Sequence, residues 1–110
     1  MSKRYLHDIP GDLDIFSAAC TDVIDGERQD WREIFIHGNP EGLRGLAALL
    51  LELADTDQRT MPAPDGAREH YQLTPGRQLA ASSDTVIIGR LDAKGTGAYF
   101  ERFRPKHRGR

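Results

Sequence analysis

The sequence predicts an α+β domain of two layers: a mostly antiparallel sheet of four to five strands with one main amphipathic helix packed on one face. Three observations predict it. Behind a complete helix-start signal, the segment from Pro40 to about Ala54 carries leucines at helical spacing. Short runs rich in β-branched and aromatic residues lie on both sides of it, separated by Gly, Pro and Asp clusters. Finally, 110 residues suffice for one core and not for two. The expected arrangement is a single domain, 1–110, with its core over about 12–103 and a basic, flexible end at 104–110.

The first run, LDIFSAACTDVI from Leu13, satisfies two patterns. Leu13, Phe16, Cys20 and Val23 follow helical spacing, whereas Leu13, Ile15, Ala19 and Val23 fit alternation. The strand is preferred and the helix stays open. DGERQD reads as a turn and WREIFIHG as the second strand, with Trp31, Glu33, Phe35 and His37 on one face and Arg32, Ile34 and Ile36 on the other. Together they predict a hairpin.

Gly38 ends that strand. Asn39 is placed to cap the first free N–H groups of a helix, Pro40 suits its first position, and Glu41 complements its dipole. Within the helix Leu43, Leu46, Ala47, Leu50 and Ala54 form the apolar stripe, widened by Leu49 and Leu53, with Arg44, Glu52 and Asp55 left to water. DTDQRTMPAPDGAR then lacks apolar periodicity and reads as an exposed loop of functional length. EHYQLTP is a strand, GRQLAASSD a polar connection, TVIIGRL a β-branched strand, DAKGTG a turn, and AYFERF the fifth strand before the basic RPKHRGR.

Composition bounds the function. An apolar share of 38% beside 29% charged residues describes a small wetted domain. No window approaches the roughly 18 apolar residues of a membrane span, and MSKRYLHDIPGD lacks a signal-peptide core, so a cytoplasmic protein without a membrane partner is expected. The single cysteine, Cys20, has no internal disulfide partner and reads as a small buried apolar group. Charge is uneven: residues 8–57 hold 12 acids and 3 bases, whereas residues 93–110 hold 6 bases and 1 acid. Such asymmetry marks a charged partner.

Searching for chemistry returns little. His7, His37, His70 and His107 lack metal-ligand spacing, so no metal or other cofactor is expected. Glu69 and His70, adjacent on a strand, point to opposite faces and cannot act together on one substrate. Ser82, Ser83 and Cys20 lack the surroundings of an activated nucleophile. At HGNPEG, Pro40 removes a donor and Glu41 repels an anion, so this is a strand-to-helix turn and no phosphate cradle.

GNPEGLRGLAALLLELAD, followed by REHYQLTPGRQLAASSDTVIIGR, resembles the bacterial immunity proteins of polymorphic toxin systems, specifically immunity protein family thirty-two. The shared pattern covers about residues 31–91: a strand, a G-N-x-E-G-L-x-x-L-A helix start, a leucine-rich helix, a His-containing strand and a final VII-type strand after a Ser-rich turn. Gly38, Asn39, Glu41, Gly42, Leu43, Leu46 and Ala47 carry it. His70 stands in the third strand, where REHYQL departs from the family's G-x-x-x-H-L approach.

The resemblance implies a cytoplasmic, non-catalytic α+β protein that binds one cognate toxin effector domain and blocks its active cleft, protecting the producing cell in competition between bacteria. The residues expected to meet the toxin are the hairpin acids Asp22, Asp25, Glu27 and Asp30, with Arg59 and Asp65 from the long loop. The alternative is a small nucleic-acid-binding or regulatory module using Arg102, Arg104, Lys106, Arg108 and Arg110, whose charges could neutralise phosphates. No recognised nucleic-acid motif surrounds those residues, so nucleic acid is the less favoured partner.

Overall fold

A computed structural model describes residues 8–99 and Lys106. Its dominant feature is one long antiparallel hairpin, β1 (Leu13–Ile24) and β2 (Glu27–Gly38), registered from Leu13 opposite Gly38 to Ile24 opposite Glu27. The strand reading of residues 13–24 is therefore correct. The turn is shorter than DGERQD implied: only Asp25 and Gly26 connect the strands, with φ of 53° and 80°. Two successive left-handed residues are what a type I′ turn needs, and the Asp-Gly pair accepts them. Glu27 to Asp30 consequently extend β2. Each strand has 12 residues and reaches about 40 Å at the usual rise, which accounts for the elongated extents of 55 × 35 × 19 Å.

Helix α1 (Pro40–Asp55) follows β2 directly. Asn39 Oδ1 accepts from the Gly42 N–H at 2.8 Å and from the Asp12 N–H at 3.0 Å, while the Asn39 N–H donates to the Asp12 carbonyl. The chain entering β1 thus crosses the helix start. A Cβ at Gly42 would lie 1.9 Å from the Asp12 carbonyl oxygen, so HGNPEG needs glycine there for close backbone approach. The anion-binding capacity of this helix end is taken up by the chain itself.

Which helix face is buried differs from the expected stripe. Gly42, Gly45, Leu46, Leu49 and Leu53 turn inward, whereas Leu43, Ala47, Leu50 and Ala54 are exposed, as is Leu51. Leucines surround much of the helix, so leucine spacing alone could not select the inner face. Two glycines select it by admitting Ile9 and the Asp12 backbone.

Beyond α1, a 3-10 turn at Gln58–Thr60 leads to β3 (His70–Leu73), which pairs antiparallel with β4 (Val86–Gly89). The intervening long loop is tied down. Lys94 Nζ donates to the carbonyls of Met61 and Ala63, and Gln58 bridges the Asp92 carbonyl and the Glu69 N–H. Gly66 and Lys94 exchange backbone bonds with the two segments.

The fold class is α+β, but the expected sheet of four to five strands is two separate two-stranded sheets among the described residues. Ala98 and Tyr99 are not in a strand, and the remainder of AYFERF lies outside the described residues. The separation has a local cause. Along the outer edge of β1, Leu13, Ile15 and Ser17 present backbone groups that a third strand would satisfy. The irregular segment 80–84 satisfies them instead: Ala80 N–H donates to Leu13 O, Asp84 N–H to Ile15 O, Ser83 Oγ accepts from Ile15 N–H, and Asp84 Oδ2 accepts from Ser17 N–H.

The core gathers at the base of the hairpin. Ile9, Leu13 and Ile15 meet Leu46, Leu49 and Leu53 of α1 and Tyr71, Leu73 and Leu79, with Val86 and Ile88 packed against them. Leu13 and Leu73 are completely enclosed. Arg90, just past β4, donates to the Leu53 and Thr56 carbonyls while gripping Asp92 with two further nitrogens. It supplies the cationic C-terminal partner that the last turn of α1 lacks.

Candidate functional site: the projecting hairpin

Beyond Ser17 and Ile34 the hairpin leaves the core and becomes a free arm. On one face lie Ser17, Ala19, Thr21 and Val23 with Arg28, Asp30, Arg32 and Ile34; on the other lie Ala18, Cys20, Asp22 and Ile24 with Glu27, Gln29, Trp31 and Glu33. Nearly all of it is exposed. Val23, Ile24, Trp31 and Ile34 therefore offer apolar surface to the outside, which is where a docking partner gains binding energy.

The base of the second face is aromatic. Phe16 and Phe35 stack at 5.1 Å between centroids, and His37 sits edge-on to both. This stack stiffens the root of the arm. Cys20 is half-buried on the same face, opposite Trp31, so it belongs to the arm and not to the core, as its composition had implied. Its thiol is pushed up from the ordinary range, first by desolvation and then by Glu33, which disfavours the thiolate.

The four hairpin acids share the outer part of the arm, distributed over both faces and the turn. Asp25 occupies the turn, Asp22 accepts from the Val23 N–H, Glu27 opens β2, and Asp30 pairs with Arg28 at 3.1 Å. Arg59 and Asp65 do not join them. Arg59 is held by Asp57, whose carboxyl is pulled below its usual range by that hydrogen bond, and Asp65 packs against Gly95 in the tied loop. The structure thus divides the expected contact set between the arm and the body. Among the alternative basic residues only Lys106 is described, and it is exposed; Arg102, Arg104, Arg108 and Arg110 lie outside the described residues.

Composition reasoning weighed acids and passed over Arg28 and Arg32, which alternate with Asp30 on one face of β2. The signal was present as the string RQDWR. Elsewhere, a groove of about 650 Å³ is lined by Arg68, His70, Ile87, Arg90 and Leu91 among others. Its guanidiniums are committed to protein carbonyls, Arg68 to those of Leu91, Gly66 and Ala98. Among the described residues no group of three or more His, Cys, Asp or Glu could hold a metal ion, and no helix is long and apolar enough to cross a membrane.

Residues 33–91 match the family model described as Immunity protein 32. The chain belongs to the Immunity protein 32 family. The matched region of this family member runs from the inner half of β2 through α1 and β3 to the residues just past β4. It contains the Asn39 cap, the Gly42 crossing and the Ser83 edge seal, so the family pattern describes the body. The outer arm, Asp22 to Arg32, lies before the match. No curated protein and no solved structure matches the chain.

Proposed function

We propose that this chain is a cytoplasmic immunity protein that neutralises a cognate toxin domain by binding it and covering its active cleft, within a polymorphic toxin system used in competition between bacteria. Membership of an immunity family supports the class of function. The observation that carries the mechanism is the arm: a stiff-rooted, exposed hairpin with Asp22, Glu27 and Ile24 on one face of its outer part, Asp30 and Val23 on the other, and Asp25 in the turn. On either face an exposed apolar side chain beside acids supplies an anchor with a charged rim. A basic cleft, such as one that holds nucleic acid, is its electrostatic complement. No chemistry is required of the inhibitor, since occupancy of the cleft excludes substrate.

The test takes as candidate toxin the C-terminal domain of the protein encoded by the neighbouring upstream gene and measures association at two ionic strengths. Asp22→Lys combined with Glu27→Lys should slow association at least tenfold at low salt and leave folding intact, because steering by complementary charge acts on the on-rate. Asp25 is left alone, since its left-handed conformation is a folding requirement. Association that is unchanged by the double reversal would remove the acidic arm from the mechanism.

A further inference from the structure

The two edges of the hairpin are treated differently. β1 has its outer edge sealed near its start by Ala80, Ser83 and Asp84, and those bonds fix the odd-numbered residues of β1 as the ones facing outward. By the antiparallel register, the even-numbered residues of β2 then face outward on the opposite side: Arg28, Asp30, Arg32, Ile34 and Ile36. Among the described residues, nothing bonds to their outward N–H and C=O groups. A long, extended, unpaired edge is a template for another strand, which natural proteins usually blunt with a bulge, a proline or charges of one sign. Here the charges alternate in sign, and the alternation is self-complementary.

We propose that the open edge of β2 pairs antiparallel with β2 of a second copy of this chain, about a two-fold axis at Trp31. In that register Asp30 lies opposite Arg32 of the other copy, and Arg32 opposite its Asp30, on one face. Trp31 meets its own counterpart on the other face, in the closely spaced type of pair that favours aromatic contact. Gln29 faces Glu33, and Arg28 lays its aliphatic stem along Ile34, which is 66% exposed in the single chain. The neighbouring registers are worse. Centring on Asp30, Arg32 or Glu33 sets that charged residue against itself, and centring on Gln29, although it pairs Arg28 with Asp30, leaves Trp31 against Glu27 and loses the aromatic contact, so charge and the Trp31 pair together select this register.

The product is a continuous four-stranded sheet, β1-β2-β2-β1, that removes both open β2 edges. The acidic ends of the two arms stand at opposite ends of it, so Asp22, Asp25 and Glu27 stay exposed, while Asp30 is assigned to the pairing. This inference does not depend on the toxin reading.

The experiment is sedimentation of the full chain over a concentration series, with charge reversals. Wild type should dimerise. Asp30→Arg alone, or Arg32→Asp alone, sets like charges opposite each other twice across the two-fold and should weaken the dimer roughly tenfold. The double swap, Asp30→Arg with Arg32→Asp, should restore it, because each new side chain again meets its opposite. A merely structural role within one chain would not show that rescue. In a second measurement, Trp31→Cys in a Cys20→Ser background should oxidise to a reducible dimer at low protein concentration, whereas Ile34→Cys in the same background should not. The Cys20 change prevents a bond within the hairpin, where Cys20 faces Trp31. A chain that stays monomeric throughout, a double swap that fails to restore the dimer, or a monomer whose edge variants lose only toxin binding would each overturn the second-copy assignment.

Discussion

Tyr71 links the core to α1 through its hydroxyl. Its hydroxyl donates to Glu52 Oε2 at 2.6 Å, and burial, reinforced by that carboxylate, pushes the phenol up to about 12. Because the folded value is raised, its contribution is complete below the ordinary phenol value near pH 10 and is lost as pH rises through about 12. Tyr71→Phe should lower stability by about 1 kcal/mol at neutral pH, and ultraviolet titration should lose the late-ionising phenolate. Retention of that phenolate would reassign it to another of the three tyrosines. Ser83 acts on the same scale but at an edge: its buried hydroxyl serves both the N–H and the C=O of Ile15. Ser83→Ala leaves the Ile15 N–H without that acceptor and should cost about 1–3 kcal/mol, read as a lower urea midpoint with unchanged slope. An unaltered midpoint would mean that 80–84 is held by its backbone bonds alone. The sequence showed Ser83 only as a serine unfit for nucleophilic work. What a side chain does to a strand edge depends on partners 68 positions away, and local pattern carries no information about that.

At the scale of elements, legibility followed how local the cause was. The start of α1 was readable to the residue because Asn39, Pro40 and Glu41 act within one turn. The hairpin was readable because Asp-Gly and the alternation of β2 are local, although the breadth of the polar stretch hid how far the strands extend past the core. The inner face of α1 was not readable, since apolar residues cover more than one stripe and the glycines that choose between them respond to a distant crossing strand. This gives a sharp contrast between neighbouring leucines. Leu49→Ala, in the core, should cost about 2–5 kcal/mol, whereas Leu51→Lys, at a side chain 65% exposed, should stay within about 0.5 kcal/mol of wild type in chemical denaturation. Comparable losses at both positions would contradict the packing of the helix. The division into two sheets was equally illegible, because Ser83 and Asp84 side chains replace what the sequence pattern presents as a missing strand. For the candidate site, the acids of the arm could be gathered from the sequence once the hairpin was recognised. That Arg59 and Asp65 stand apart from those acids could not be read without Asp57 and the turn at Gly95.

For the molecule as a whole, the division of labour is spatial. A compact body of α1, β3, β4 and the base of the hairpin carries the family pattern, and a long arm carries Asp22, Asp25, Glu27 and Asp30 beside exposed Val23, Ile24, Trp31 and Ile34. The outer arm precedes the matched residues and stands clear of the core. Deleting Asp22–Gln29 and rejoining the shortened strands through a new Asp-Gly turn should therefore leave the body folded while abolishing protection. The most direct test is growth of a susceptible bacterium that expresses the C-terminal domain of the protein encoded by the neighbouring upstream gene, with and without the full chain, followed by co-purification of the two. The account predicts restored growth and a stable complex of the two proteins. A toxin that kills equally in the presence of the folded chain, with no complex recovered, would contradict it.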